Sequence, residues 1–170
     1  HKDGDEYVIN GSKMFITNGS VADFILVFCL TDPENRDRHS RHSWIIVEKD
    51  REGFEANKLR GKLGIRASDT AELFFSNVRV PVSNLVGQQG MGFRELMAFF
   101  DLSRIVVAAQ GVGIARAALE EAVKHIKKRK QFGMPLAAFQ INQFKVAEMA
   151  TMIQAARNLY YEAAWKADTG

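Results

Sequence analysis

Among 170 residues there is one cysteine, Cys29, which excludes an intrachain disulfide framework and a thiol-rich metal site. It lies in the apolar run Phe24 to Leu30, where a buried, inert thiol in a reducing compartment is expected. That run is also too short to cross a bilayer, so no membrane span is expected. The net charge is only +3, from 23 basic and 20 acidic residues, too small an excess to argue for a nucleic-acid partner. No Gly-x-Gly-x-x-Gly follows a strand-like segment, and there is no phosphate-binding loop, internal repeat or metal-ligand spacing. The four histidines form no helical pair: His39 and His42 share a polar loop, while His1 and His125 stand apart. The chain begins at His1 without a methionine or leader-like segment, as expected of a piece of something longer.

What remains is the composition of a soluble globular protein, 46% hydrophobic and 25% charged. The pattern divides near Gly87–Gly90, giving a β half at residues 1–88 and a helical half at 89–170. In the first half, short β-type runs alternate with turn signals. Tyr7-Val8-Ile9 precedes Asn10-Gly11, a hairpin dipeptide, so Lys13 to Thr17 is expected as its partner strand. Asp23 to Leu30 and Ser43 to Lys49 read as two more strands, joined by a solvated loop carrying Arg36, Arg38, His39, Arg41 and His42. Phe54 to Leu59 and Ala71 to Val80 bring the total to about six, with Pro81 ending the last. Such a series specifies a small all-β barrel or sandwich.

After Gly90 the period changes to that of a helix. Phe93, Leu96, Met97 and Phe100 share one face, continued by Val112, Ala115, Leu119, Ala122, Val123 and Ile126. A helix over about 92–130 would be roughly 55–60 Å long at 1.5 Å per residue, a length that belongs in a bundle. Gly133-Met134-Pro135 reads as the turn into a second helix at about 138–167. There Phe144, Ala147, Thr151, Ala155, Leu159 and Ala163 form one apolar stripe; Val146, Met149, Ile153, Ala156, Tyr160 and Ala164 form another. Two stripes require cover on more than one side, so further helices are implied. The fold class is α+β, a small β-domain followed by a long helical hairpin, half of a four-helix bundle.

The run Tyr7 to Gly19, Tyr-Val-Ile-Asn-Gly-Ser-Lys-Met-Phe-Ile-Thr-Asn-Gly, resembles the signature segment of the acyl-CoA dehydrogenase family. The resemblance continues through Lys62-Leu63-Gly64-Ile65-Arg66-Ala67-Ser68-Asp69-Thr70, Val78-Arg79-Val80-Pro81 and Gly90-Met91-Gly92-Phe93. It then takes in Asp101-Leu102-Ser103-Arg104 and Arg129-Lys130-Gln131-Phe132-Gly133. The segments stand in family order and spacing over essentially the whole chain. The family fold is a helical domain, a β-barrel and a four-helix bundle; the resemblance covers the barrel and the first half of the bundle.

The resemblance implies FAD as cofactor and assigns residues to it. Phe15 and Thr17, on one side of their strand, would face the flavin ring, with the aromatic against its flat surface and the hydroxyl at its polar edge. Most of the family carries Trp at the place of Phe15, so one indole N–H is missing here. On residue type alone, ordinary barrel packing stays open for both. Arg129, Gln131, Phe132 and Gln140 would approach the FAD of a partner subunit, Arg129 as a fork for the pyrophosphate. The plain alternative is that Arg129 and the lysines at 124, 127, 128 and 130 complement a helix C-terminus. Asp101 and Arg104 are candidates for shaping the acyl-CoA site, although without the resemblance Arg104, after the apolar Phe99-Phe100, reads as a surface residue. Ser103 stands where a minority of the family carries the catalytic Glu.

The implied reaction is 2,3-dehydrogenation of an acyl-CoA thioester in fatty-acid β-oxidation. Electrons would pass to an electron-transfer flavoprotein, in a homo-oligomer (tetramer or dimer) of the cytoplasm or mitochondrial matrix. No catalytic residue is assigned within the chain: the base is expected beyond Gly170 and a flavin-holding Thr-Glu-Pro/Gly-Ser-Asp segment before His1, leaving residues 1–170 inactive alone. An acyl-CoA oxidase or flavin monooxygenase of the same fold is the nearest alternative. A non-catalytic module presenting the basic hairpin is a third, although no aromatics interleave with its charges as a single-strand binder requires.

Overall fold

The computed structural model describes all of residues 1–170, in two compact units, His1–Met97 and Ala98–Gly170. The first contains strands β1 (Lys2–Asp3), β2 (Glu6–Thr17), β3 (Phe24–Leu30), β4 (His42–Glu48), β5 (Phe54–Lys58), β6 (Thr70–Pro81) and β7 (Leu85–Val86). They form a four-stranded sheet of order β1-β2-β6-β5 and a three-stranded sheet of order β3-β4-β7, antiparallel throughout. Tyr7, Ile9, Ala71, Leu73, Phe75, Val78 and Val80 of the first sheet share one core with Val27, Ile45 and Val47 of the second. The β half is therefore a two-layer sandwich. Full burial of each aliphatic side chain in it stabilises the fold by about 1.5–3 kcal/mol.

The alternation on β4 is strict, with Ser43, Ile45 and Val47 buried and their neighbours partly open. On β6 it changes phase: Ala71, Leu73 and Phe75 face the core, then Val78 and Val80. Ser76 and Asn77 there oppose the single Asn10 of β2, one residue in excess, and Asn77 is left-handed at φ 53°. This bulge overturns the hairpin expected at Asn10-Gly11. Glu6–Thr17 is one continuous strand paired with β6, its register shifting between Ile9↔Val78 and Gly11↔Phe75. Asn10 does not turn the chain; its Oδ1 accepts the Asn77 N–H at 2.8 Å, and its Nδ2 donates to Asn77 Oδ1 at 3.1 Å. A 12-residue partner with its own apolar alternation outweighs a local turn preference.

Helix α1 (Gly92–Lys128) begins within this unit, where glycines let backbone lie directly on backbone. A Cβ at Gly90, already at φ +84°, would fall 2.8 Å from the Ser40 carbonyl oxygen, and one at Gly92 would fall 2.9 Å from that of His42. Gly90 N–H donates to the buried Ser43 Oγ at 2.9 Å, and the Phe93 ring stacks on His39 with centroids 4.7 Å apart.

In the second unit, α1 leads through a two-residue hairpin, β8 (Lys130–Gln131) and β9 (Met134–Pro135), to α2 (Gln140–Thr169). The turn sits one residue earlier than expected, at Phe132-Gly133. Both are left-handed (φ 52° and 82°), as a type I′ hairpin turn requires. Each helix half-buries one stripe: Ile105, Ala109, Val112, Leu119, Ala122, Val123 and Ile126 on α1, and Val146, Ile153, Ala156, Tyr160 and Ala164 on α2. The other stripe of α2, including Phe144 and Leu159, is exposed. By length and composition alone α1 could cross a membrane, because Leu96 to Ala115 carries only Asp101 and Arg104 as charges. Asp101 and Arg104 interrupt the segment, so no unbroken apolar run marks it in the sequence. The same composition belongs to a bundle helix covered on several sides.

Candidate functional site

Phe15 sits in a second irregularity of β2. Between the register pairs Lys13↔Leu73 and Ile16↔Ala71, β2 carries one residue more than β6, and Phe15 takes φ 60° to absorb it. A left-handed conformation costs a residue with a Cβ about 1–2 kcal/mol. The result is a phenylalanine 74% exposed beside a 48% exposed Met14, while Ile16 packs against the core. Thr17, the next residue on the outer side, is also exposed. The bulge therefore leaves both Phe15 and Thr17 exposed outside the sandwich.

The chain reverses just after Thr17. Asn18 is left-handed at φ 60°, Gly19 N–H donates to Ile16 O at 3.2 Å, and Ala22 N–H donates to Asn18 O at 2.9 Å. Gly19 is pressed to the core: a Cβ there would come 3.0 Å from that of Ala71. On the other side lies the β5–β6 loop, where Lys62 Nζ donates to Ser68 O at 2.6 Å and Thr70 Oγ1 at 2.9 Å. Thr70 is the register partner of Thr17.

An exposed aromatic plane next to a hydroxyl, on backbone strained to display it, fits a flat heteroaromatic ligand with polar edges. The residues present therefore fit a flavin. A cleft of about 360 Å³ also opens between β2 and β3, lined by Tyr7, Ile9, Lys13, Phe28, Cys29 and Thr31 among others, without Phe15 or Thr17. Burial raises the pKa of the Cys29 thiol there, consistent with an unreactive cysteine.

The other predicted residues lie in the helical unit. Phe132 is 90% exposed at the hairpin tip, with its ring edge-on to Phe139 at 6.3 Å. Arg129 and Gln131 flank it, both exposed; the Arg129 backbone closes the corner, its N–H donating to His125 O and its carbonyl accepting from Leu136 N–H. Gln140 is the first residue of α2 and is exposed. The hairpin thus brings Arg129, Gln131 and Phe132 into one projection, while Gln140 opens the helix that follows. Asp101 and Arg104 form an i,i+3 ion pair at 3.2 Å on α1, both largely open to solvent. Lys124 pairs with Glu121 at 2.6 Å, which takes one charge out of the basic cluster. Sequence reasoning gave Asp69 no role of its own, yet its side chain is only 7% exposed and engages the turn after Thr17.

Comparison with known proteins accounts for both units. Residues 1–78 match the family described as acyl-CoA dehydrogenase, middle domain, and residues 90–170 match acyl-CoA dehydrogenase, C-terminal domain. An acyl-CoA dehydrogenase of Bacillus subtilis (strain 168) is 50% identical over 163 residues, 96% of this chain and 42% of the relative. The structure of butyryl-CoA dehydrogenase from Megasphaera elsdenii superposes with a TM-score of 0.89 at 47% identity, over 97% of this chain and 43% of that one. A chain in a structure described as the electron-transferring flavoprotein of Acidaminococcus fermentans, concerned with flavin-based electron bifurcation, gives 0.88 at 47% identity. It covers 97% of this chain and 43% of that one. The chain thus spans under half the length of the relatives it matches. With both domains matched in order and the β-sandwich and helical hairpin in place, the chain belongs to the acyl-CoA dehydrogenase family of flavoprotein oxidoreductases.

Proposed function

We propose that residues 1–170 supply the flavin-facing β-domain and the first helical hairpin of an FAD-dependent acyl-CoA dehydrogenase, which introduces a 2,3 double bond into an acyl-CoA thioester. The observation that carries this reading is Phe15, an aromatic displayed to solvent by a left-handed bulge, next to Thr17, within a chain of this family. FAD, when bound, supplies the hydride acceptor. Phe15 packs against its ring and Thr17 offers a hydroxyl to its edge. By family resemblance, Arg129, Gln131, Phe132 and Gln140 serve the FAD of a second subunit in a homo-oligomer, and the exposed tip of the Phe132 hairpin suits such a reach. Asp101 and Arg104 help shape the substrate site.

The thioester carbonyl acidifies the α-proton, and a partly desolvated carboxylate removes it. We place that carboxylate outside residues 1–170. Ser103 stands at the alternative family position for the base, and its Oγ–H donates to the Phe100 carbonyl at 3.2 Å. Residues 1–170 by themselves are accordingly inactive. The reading makes an electron-transfer flavoprotein the acceptor, in keeping with the third comparison above.

The test is the visible spectrum of the full-length protein, recorded anaerobically during addition of butyryl-CoA. Bleaching of a bound yellow flavin that persists until an electron-transfer flavoprotein is added supports the proposal. Rapid reoxidation by air alone would instead establish an oxidase, and absence of any bound flavin would refute the reading.

A further inference from the structure

We propose that Asp69 is the positioning residue for the flavin-facing segment Phe15–Thr17, acting through the turn at residues 18–22. This rests on the flavin reading above and adds a residue to it.

Phe15 and Asn18, two non-glycine residues in the left-handed region, bracket Ile16-Thr17. Asn18 adopts this conformation readily, but Phe15 does not, so the surrounding structure must impose it there. Ile16 secures the middle by packing against the core, and Gly19 is buried against Ala71 and Leu73. What holds the far end is Asp69. Its carbonyl accepts the Asn18 N–H at 3.1 Å. Its carboxylate accepts the Ser20 N–H at 3.0 Å and the Ser20 Oγ–H at 2.8 Å. Lys58 Nζ, 3.2 Å away, neutralises the charge.

One residue thus makes three hydrogen bonds to two residues of a distant turn, Asn18 and Ser20. Asp69 is also one of only two polar residues buried in the sandwich unit, the other being Ser43. The sheet does not need this carboxylate to pair, because the β2–β6 register runs through Thr17↔Thr70 on backbone bonds. Apart from Lys58 and the Ser68 hydroxyl, its hydrogen-bond partners lie in the reversal that fixes where Thr17, and through it Phe15, can stand. The hydrogen bonds from Ser20, more than the nearby Lys58, hold the Asp69 carboxyl below its ordinary pKa, so it acts as a permanently charged acceptor at neutral pH.

The experiment uses the full-length flavoprotein and three variants: Asp69→Asn, Ser20→Ala and, as a core control paired with Tyr7 far from the turn, Val80→Ala. FAD dissociation constants and the position of the flavin's visible absorption band are measured well below each unfolding transition. Asp69→Asn should raise the dissociation constant at least tenfold and displace the band. Ser20→Ala, which removes only the hydroxyl bond and leaves the exposed turn foldable, should move both in the same direction by less. Val80→Ala should lower thermal stability while leaving affinity and band where they were. Unchanged affinity and band in both Asp69→Asn and Ser20→Ala, beside a FAD-bound wild type, would overturn this inference alone. Equal changes in Val80→Ala would overturn it by reducing the effect to general stability. A wild type that binds no FAD would overturn the flavin reading and this inference with it.

Discussion

Replacing Phe15 with Gly separates display from packing. Phe15 is 74% exposed, so only about a quarter of a side chain that would present about 200 Å² is covered by protein; at 25 cal/mol per Å², its loss costs about 1.3 kcal/mol. Against this, Gly takes φ 60° without the left-handed penalty of about 1–2 kcal/mol, but loses about 0.5–1 kcal/mol to greater freedom in the unfolded chain. The sum is a stability change within about 1 kcal/mol, a shift of at most a few degrees in Tm for the full-length protein. Phe75, 4% exposed and packed on Phe54 at 5.3 Å, is the contrast: its truncation to Ala should cost about 3–5 kcal/mol. Flavin binding should respond in the opposite order. If one ring face is covered by the flavin, about 75 Å² of Phe15 leaves water, worth about 2 kcal/mol, with about 0.5–1.5 kcal/mol more from stacking. Phe15→Gly in the full-length protein should then weaken FAD binding by roughly a hundredfold with Tm of the apoprotein almost unmoved. Calorimetry of the apoprotein and fluorescence titration with FAD read the two quantities separately. A fall in apoprotein Tm as large as that of Phe75→Ala, or an unchanged FAD affinity, would refute the assignment of Phe15 as a displayed ligand residue.

Two further outcomes follow from the sandwich. Gly90→Ala puts a Cβ 2.8 Å from the Ser40 carbonyl at φ +84°, so about 1–3 kcal/mol of stability should be lost. Amide exchange should quicken at Gly90 and the first turn of α1; protection equal to wild type would contradict the close-approach argument. The pKa of Glu48 is lowered to about 2, chiefly by the hydrogen bonds from Arg51. A depressed carboxylate stabilises the fold above its unfolded pKa near 4.3 and loses that contribution as pH falls towards the folded value. Glu48→Gln should therefore flatten the stability profile between about pH 5 and pH 2 and leave its shape above pH 6 unchanged. Denaturant midpoints across that range check it, and parallel profiles for the two proteins would count against the Arg51 pairing.

The sequence by itself determined the elements whose cause is local or periodic. Ser43 to Lys49 is legible as a strand from its short run of β-type residues, but with Trp44 and Ile46 on the open face only the structure shows that Ser43, Ile45 and Val47 are the buried set. The step to a period of 3.6 after Gly90 likewise announces α1, and the ordered family segments announce the cofactor class. Misreadings arose where a distant partner decides. Asn10-Gly11 has the composition of a turn, but a long β6 with a bulge at Asn77 keeps the strand running through it. Phe132 rather than Met134 occupies the hairpin turn because two left-handed positions are needed next to each other, and no composition rule anticipates a phenylalanine there. Only the tertiary structure decided that Asp69 matters. In sequence it is one polar residue at the end of a basic loop, and its burial and hydrogen bonds exist only once residues 18–22 are folded against it. Backbone strain at Phe15 is equally non-local: the extra residue of β2 is defined solely by the count of residues on β6 opposite, so the exposure of the aromatic is a property of strand pairing and not of the segment that carries it.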